Sequence, residues 1–156
     1  DSTLMVRKIG RPGHMRLYAS RDYLRRRGEP RRPEDLVDHD CLIMTGLHQP
    51  ATWRFRSGRK RIAVEVRARA GINSFNLLRE LALAGHGIAR LPEFVGGRAL
   101  PKGALRTILD DFVEAPYDWH AVYPSARNMS PKVRALLEVF EEHSEGAHWG
   151  GASSRR

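Results

Sequence analysis

The sequence predicts an α/β domain, and three stretches carry that prediction. NSFNLLRELALAGHGIARLP (residues 73–92) runs helix, glycine, strand, which is half of an αβ unit. WRFRSGRKRIAVEVRAR (53–69) alternates apolar and polar positions on both sides of a Ser57-Gly58 turn, the period-two pattern of a β-hairpin with one buried face. SPKVRALLEVF (130–140) places Ser130 ahead of Pro131, then Val133, Leu136, Leu137 and Phe140 at helical spacing.

Taken in chain order, LMVRKI (4–9) is a short, mostly apolar run cut off by Gly10, Pro12 and Gly13. MRLYAS (15–20) alternates and reads as a strand. Ser20 can cap the short helix RDYLRRRG, which stops at Gly28. Pro33 opens a further helical turn, PEDLVDHD, and CLIM (41–44) fits a buried strand. In the hairpin, Trp53 and Phe55 share one face and Arg54 and Arg56 the other. Beyond the turn Ile62, Val64, Val66 and Ala68 alternate with Arg61, Glu65, Arg67 and Arg69. A base-stacking platform needs exposed rings beside basic groups. The pleat separates the two here, so the stretch reads as a strand pair whose basic face need not touch DNA. Asn73 or Ser74 caps the next helix, with Leu77, Leu78, Leu81 and Ala84 as its apolar stripe, and Gly85 and Gly87 end it. IARL, ALRTIL (104–109) and WHAVYP (119–124) are strand candidates. Residues 144–156, rich in Gly, Ser and Arg, read as a flexible tail.

The 156 residues carry a formal charge of +9, and 23 of the 27 basic residues are arginine. That charge favours polyanionic partners without specifying a fold; a bias toward arginine codons is the plainer account of the arginine excess. A lone cysteine, Cys41, excludes an internal disulfide. No apolar run reaches membrane-spanning length, and no signal-peptide pattern follows Asp1. The expectation is a fragment.

The search for chemistry yields little. Asp35 and His39 are four apart, a spacing that can place two metal ligands on one helix face, but no third ligand accompanies them. His39, Asp40 and Cys41 are adjacent in sequence, which does not make a nucleophile–base pair. No serine sits in a nucleophile elbow. AGHG and GRPG each lack the remainder of a nucleotide-binding loop. The residues alone therefore give a basic α/β domain with no catalytic signature, no metal and no cofactor.

Six ordered pieces resemble the effector-binding region of LysR-type transcriptional regulators. They are DSTLMVRKIG (1–10), LYASRDYLRRRGEPRRPEDLVDHDCL (17–42), WRFRSGRKRIAVEVRARAGINS (53–74), LRELALAGHGIARLPEFV (78–95), GALRTIL (103–109) and AVYPSARNMSPKVRALLEVFEEH (121–143). The resemblance implies a type 2 periplasmic-binding-protein-like effector domain with two α/β subdomains, one complete here and the other partial. It divides the chain into a crossing strand (1–10), the second subdomain (11–90), a returning part of the first subdomain (91–143) and the tail. It further implies a bacterial, cytoplasmic, homo-oligomeric regulator, dimeric or tetrameric and with no membrane attachment. In this reading DNA is read only by an N-terminal helix-turn-helix absent from the chain, and a small-molecule effector, such as an organic anion, occupies the inter-subdomain cleft. That cleft is lined by strand ends and helix N-termini, where free N–H groups favour anions. The candidate effector contacts are Ser20, Thr45, Asn73, Ser74, Phe75 and Arg90. For Ser20, Asn73 and Ser74 a capping role is the open alternative; for Arg90, it is simple exposure to solvent. Two other readings stand beside this one: a fragment of a solute-binding protein of the same fold, and a stand-alone basic nucleic-acid-binding module.

Overall fold

The computed structural model describes residues 4–45, 51–99, 103–112, 114, 116–124 and 130–144. In chain order its elements are β1 (Leu4–Gly13), β2 (Met15–Ser20), α1 (Arg21–Arg27), a 3-10 turn (Pro33–Asp38), β3 (Cys41–Met44), β4 (Thr52–Ser57), β5 (Lys60–Glu65) and β6 (Ala68–Ile72). There follow α2 (Phe75–Leu83), β7 (Ile88–Pro92), α3 (Glu93–Gly96), β8 (Leu105–Ile108), β9 (Tyr117–Pro124) and α4 (Pro131–Ser144). The chain divides into two compact units. Unit 1 comprises residues up to Gly13 and from Pro116, and unit 2 runs His14–Ala115.

Unit 2 is built on a five-stranded sheet of order β6-β3-β7-β2-β8. β3 runs parallel to both β6 and β7, whereas β2 is antiparallel to β7 and β8. One sheet face carries Leu17, Ala19, Cys41, Ile88 and Ile108, packed with Tyr23 and Leu24 of α1 and with Trp53, Phe55 and Val64 of the β4–β5 hairpin. The other carries Tyr18, Leu42, Ala89, Leu91 and Leu105 against Leu78 and Ala82 of α2. The hairpin follows the expected alternation: Trp53 and Phe55 are buried, and Arg54 and Arg56 are exposed. Its register pairs Phe55 with Ile62 and Arg56 with Arg61.

Two expectations change. The alternation read as one strand through Ala68 breaks after Glu65. Val66 N–H still continues the hairpin ladder by donating to Ala51 O (2.6 Å), but Arg67 O accepts from Cys41 N–H (2.9 Å), so there the chain leaves the hairpin and joins the main sheet as β6. The buried stripe of α2 is Leu78 and Ala82, one turn apart, with Phe75 and Leu81 partly buried; Leu77 and Ala84 face outward. β8 pairs with β2 and so belongs to the sheet of unit 2.

Unit 1 is an antiparallel ribbon of β1 and β9 with α4. The register runs from Leu4–Pro124 to Ile9–Trp119 and slips before Gly13–Tyr117. β1 therefore continues past Gly10 rather than ending there. At Gly13 a side chain has no room, since a Cβ would lie 2.6 Å from the Tyr117 ring. α4 begins as predicted, with Ser130 Oγ accepting from Val133 N–H (3.4 Å) and Leu137 buried. The side chain of Phe140 and the tail from residue 145 lie outside the described residues.

Candidate ligand site

β3 and β6 end side by side. Met44 pairs with Ile72, and Thr45 N–H donates to Ile72 O at 3.0 Å. The two strands therefore deliver Thr45 and Asn73-Ser74 to one edge of the sheet, where α2 begins. Gly71 permits this close approach, since a Cβ there would lie 2.7 Å from Thr45 Cγ2. Thr45 and Asn73 are exposed, and Ser74 and Phe75 are half-buried. Ser74 Oγ caps α2, accepting from Leu77 N–H at 3.4 Å. The first turn of α2 holds no acidic residue, so no carboxylate offsets the partial positive charge of its free N–H groups. Polar side chains, a helix start and one aromatic ring converge at this edge, an arrangement suited to a small anion.

Ser20 does not join them. β2 runs antiparallel to β7, so it ends where β7 begins, at the opposite edge of the sheet. There Ser20 is buried and accepts from Tyr23 N–H at 3.2 Å as the N-cap of α1. The sequence signals a strand followed by a cap but not the direction of the strand, and direction decides the edge.

Arg90 lies elsewhere again. It pairs across β2 with Leu17 and so points to the hairpin side of the sheet. It borders a shallow, open depression of about 260 Å³ together with Arg54, Phe55, Phe112 and Glu114. Arg90 Nη2 donates to Glu114 Oε2 at 2.5 Å, so its charge is already matched. On the same border Arg16 is held between Glu93 and Asp110, the latter at 3.0 Å. Both pairings join residues distant in sequence, and no local pattern announces them.

The His39-Asp40-Cys41 run is structural. The Tyr23 hydroxyl and His39 Nδ1 share a hydrogen bond (3.1 Å), and the Tyr23 oxygen accepts from Asp40 N–H (2.9 Å). Burial pushes the Cys41 thiol up to about 12, so it stays protonated at neutral pH. Asp35, the other half of the spacing noted in the sequence, accepts from Arg31 N–H, Arg32 N–H and Arg32 Nε, which hold its carboxyl below the usual range. His39 is held below its ordinary value of 6.5, chiefly by burial and next by nearby Arg27, against the opposing pull of Asp35, Asp38 and Asp40. The unfolded chain therefore takes up this proton at a higher pH than the folded one. The stabilisation from neutral His39 is complete above 6.5 and is lost as pH falls below it toward the folded value. In urea titrations from pH 7.5 down to 5, a His39→Gln variant is expected to lose less stability than wild type. Parallel losses in the two proteins would refute this role for His39.

A parallel β6-β3-β7 core with an antiparallel strand inserted beside it defines unit 2 as part of a type 2 periplasmic-binding-protein-like regulatory domain. Among solved structures, the full-length Vibrio cholerae virulence activator AphB, a member of the LTTR protein family, matches 92% of this chain and 49% of its own, with TM-score 0.79 and 26% identity. The regulatory domain of CrgA, a LysR-type transcriptional regulator from Neisseria meningitidis, matches 90% of this chain and 69% of its own, with TM-score 0.77 and 26% identity. The chain belongs to the LysR substrate binding domain family, whose model matches residues 1–145. An HTH-type transcriptional regulator of Haemophilus influenzae is 34% identical over 140 residues, 90% of this chain and 48% of the relative. The regulator PtxR of Pseudomonas aeruginosa is 35% identical over 111 residues, 71% of this chain and 36% of the relative. The chain thus spans about half, or less, of the length of these curated relatives. Among the described residues no helix is long and apolar enough to cross a membrane.

Proposed function

We propose that the chain is the effector-sensing part of a LysR-type DNA-binding transcriptional regulator, and that it binds a small organic anion at the edge formed by Thr45, Asn73, Ser74 and Phe75. The observation that carries this reading is the meeting of the β3 and β6 ends at the start of α2, whose first turn has no carboxylate. A ligand carboxylate there meets backbone N–H groups and the Asn73 and Thr45 side chains, and the Phe75 ring offers an apolar flank. Ser20 is read as a cap, and Arg90 as the partner of Glu114. In the complete regulator, a separate N-terminal helix-turn-helix reads DNA, and the molecule works in the cytoplasm as a homo-oligomer.

The test is calorimetry on the full-length regulator with a panel of small aliphatic and aromatic carboxylates. Each charge-assisted contact contributes about 1.5–3 kcal/mol. Asn73→Ala is therefore expected to weaken binding roughly tenfold to a hundredfold. Ser20→Ala is expected to leave affinity unchanged and to cost about 1 kcal/mol of stability through the lost cap. Unchanged affinity in both Asn73→Ala and Thr45→Ala, with the fold intact, would place the ligand elsewhere.

A further inference from the structure

The arginines of unit 2 fall into two groups. Some are matched: Arg16 with Glu93 and Asp110, Arg25 with Asp22, Arg32 with Asp35, Arg69 with Asp40, Arg79 with Glu80, Arg90 with Glu114, and Arg106 with Glu29; the side chains of others, Arg21, Arg26, Arg27, Arg31 and Arg98 among them, meet no carboxylate among the described residues. The hairpin gathers unmatched cations on one ribbon. Thr52–Glu65 holds five basic side chains, Arg54, Arg56, Arg59, Lys60 and Arg61, and one acidic side chain, Glu65. All five are exposed. Among the described residues none of them meets a carboxylate, and Arg56 alone makes a hydrogen bond, to the Gly58 carbonyl within its own turn. The register sets Arg56 directly opposite Arg61, an arrangement of like charges that costs stability.

We propose that the outer face of the β4–β5 hairpin is a docking surface for the phosphate backbone of duplex DNA, engaged without reading bases. The chemistry of the patch selects this partner. The cations of the outer face, Arg54, Arg56 and Arg61 on the strands with Arg59 in the turn, are all arginines, whose planar forks match phosphate oxygens. A duplex carries one charge per about 1.7 Å of axis, a density that can relieve the Arg56–Arg61 repulsion. Trp53 and Phe55 are 3% and 6% exposed and lie on the opposite face, so no ring is available to stack on unpaired bases. That favours a duplex over a single strand. The inner face of the hairpin is committed to the core, which leaves the ribbon flat on the unit rather than free to enter a groove. The inference rests on the reading that the complete protein works on DNA. It is independent of where the effector binds.

The experiment uses the 156-residue chain and a fluorescent duplex of random sequence, with affinity measured from 50 to 200 mM salt. One variant replaces Arg54, Arg56, Arg59 and Arg61 by Gln. A control replaces Arg21, Arg31, Arg98 and Arg134 by Gln, which removes the same charge from exposed positions elsewhere. Each phosphate contact contributes about 0.9 to the slope of log affinity against log salt. The hairpin variant is expected to flatten that slope by about 2–4 and to bind at least about tenfold more weakly at 50 mM, while the control changes the slope by less than about 1. Circular dichroism confirms that both variants are folded. The pair variants Arg54→Gln/Arg56→Gln and Arg59→Gln/Arg61→Gln each report separately if the fourfold change unfolds the chain. Equal losses in hairpin variant and control would show that net charge alone acts, and would overturn the proposal. Poly-glutamate binding as tightly as the duplex, with the same dependence on the hairpin, would mark the face as a site for an acidic polypeptide and overturn it equally.

Discussion

Replacing Phe55 by alanine is expected to lower the unfolding free energy by about 3–5 kcal/mol, as large-to-small changes of buried aromatics do. Phe55 is 6% exposed, faces Ile62 across the hairpin and joins the cluster containing Leu17 and Ile108. Its removal leaves a cavity between hairpin and sheet, and the hairpin has no second face with which to compensate. Arg56→Ala, one residue on and exposed, is expected to stay within about 0.5 kcal/mol of wild type. Chemical denaturation of the two variants measures the contrast. A loss below about 1 kcal/mol for Phe55→Ala would mean that the hairpin is only loosely packed on the sheet.

Gly87→Ala is expected to cost about 3 kcal/mol, at the upper end of the usual range for overpacking. A Cβ at Gly87 would lie 2.4 Å from the carbonyl oxygen of Asp40. That obstacle is backbone, and it is pinned. Asp40 O accepts from Ile88 N–H at 2.9 Å, and Asp40 N–H donates to Tyr23 O–H. Relief requires β7 to move away from the start of β3, where the sheet is fully buried at Cys41 and Ile88. Gly97→Ala is the comparison: its φ of −58° suits any residue and nothing lies within 4 Å of the added carbon. It is expected to be neutral within about 0.5 kcal/mol. Similar thermal denaturation midpoints for the two alanine variants would contradict the steric account.

The sequence exposes periodicity well and direction poorly, and the outcome at each element follows from that. The alternation of Trp53-Arg54-Phe55-Arg56 and the cap-proline start of α4 are local signals, and both are seen in the structure. β6 escaped notice because ARAGI continues the preceding alternation almost without a break. The bond of Arg67 O to Cys41 N–H and the pairing of Cys41 with Ala68 reveal the change of sheet. The candidate site divides in the same way. Thr45 and Asn73-Ser74 follow two strands that prove parallel, so they arrive at one edge. Ser20 follows a strand of the same appearance that runs the other way. For Arg90, the decisive neighbour, Glu114, is 24 positions distant and carries no mark in the sequence.

The pairing of β1 with β9 has a consequence for biosynthesis. Gly13 meets Tyr117, so the whole of unit 2 is spliced into the ribbon of unit 1. Joining those strands while residues 14–115 are still unfolded means closing a loop of some hundred residues. A folded insert that already holds its own ends reduces that closure to the equivalent of a few residues, a saving of about 3 kcal/mol. At ribosomal rates of about 5–20 residues per second, Leu4 also waits roughly 6–24 s before its partner Pro124 is made. During that wait LMVRKI lacks its β9 partner, and its exposed strand edge is open to chaperone capture or to pairing with another nascent chain. β1 thus completes its ribbon only after the whole of unit 2 has been made.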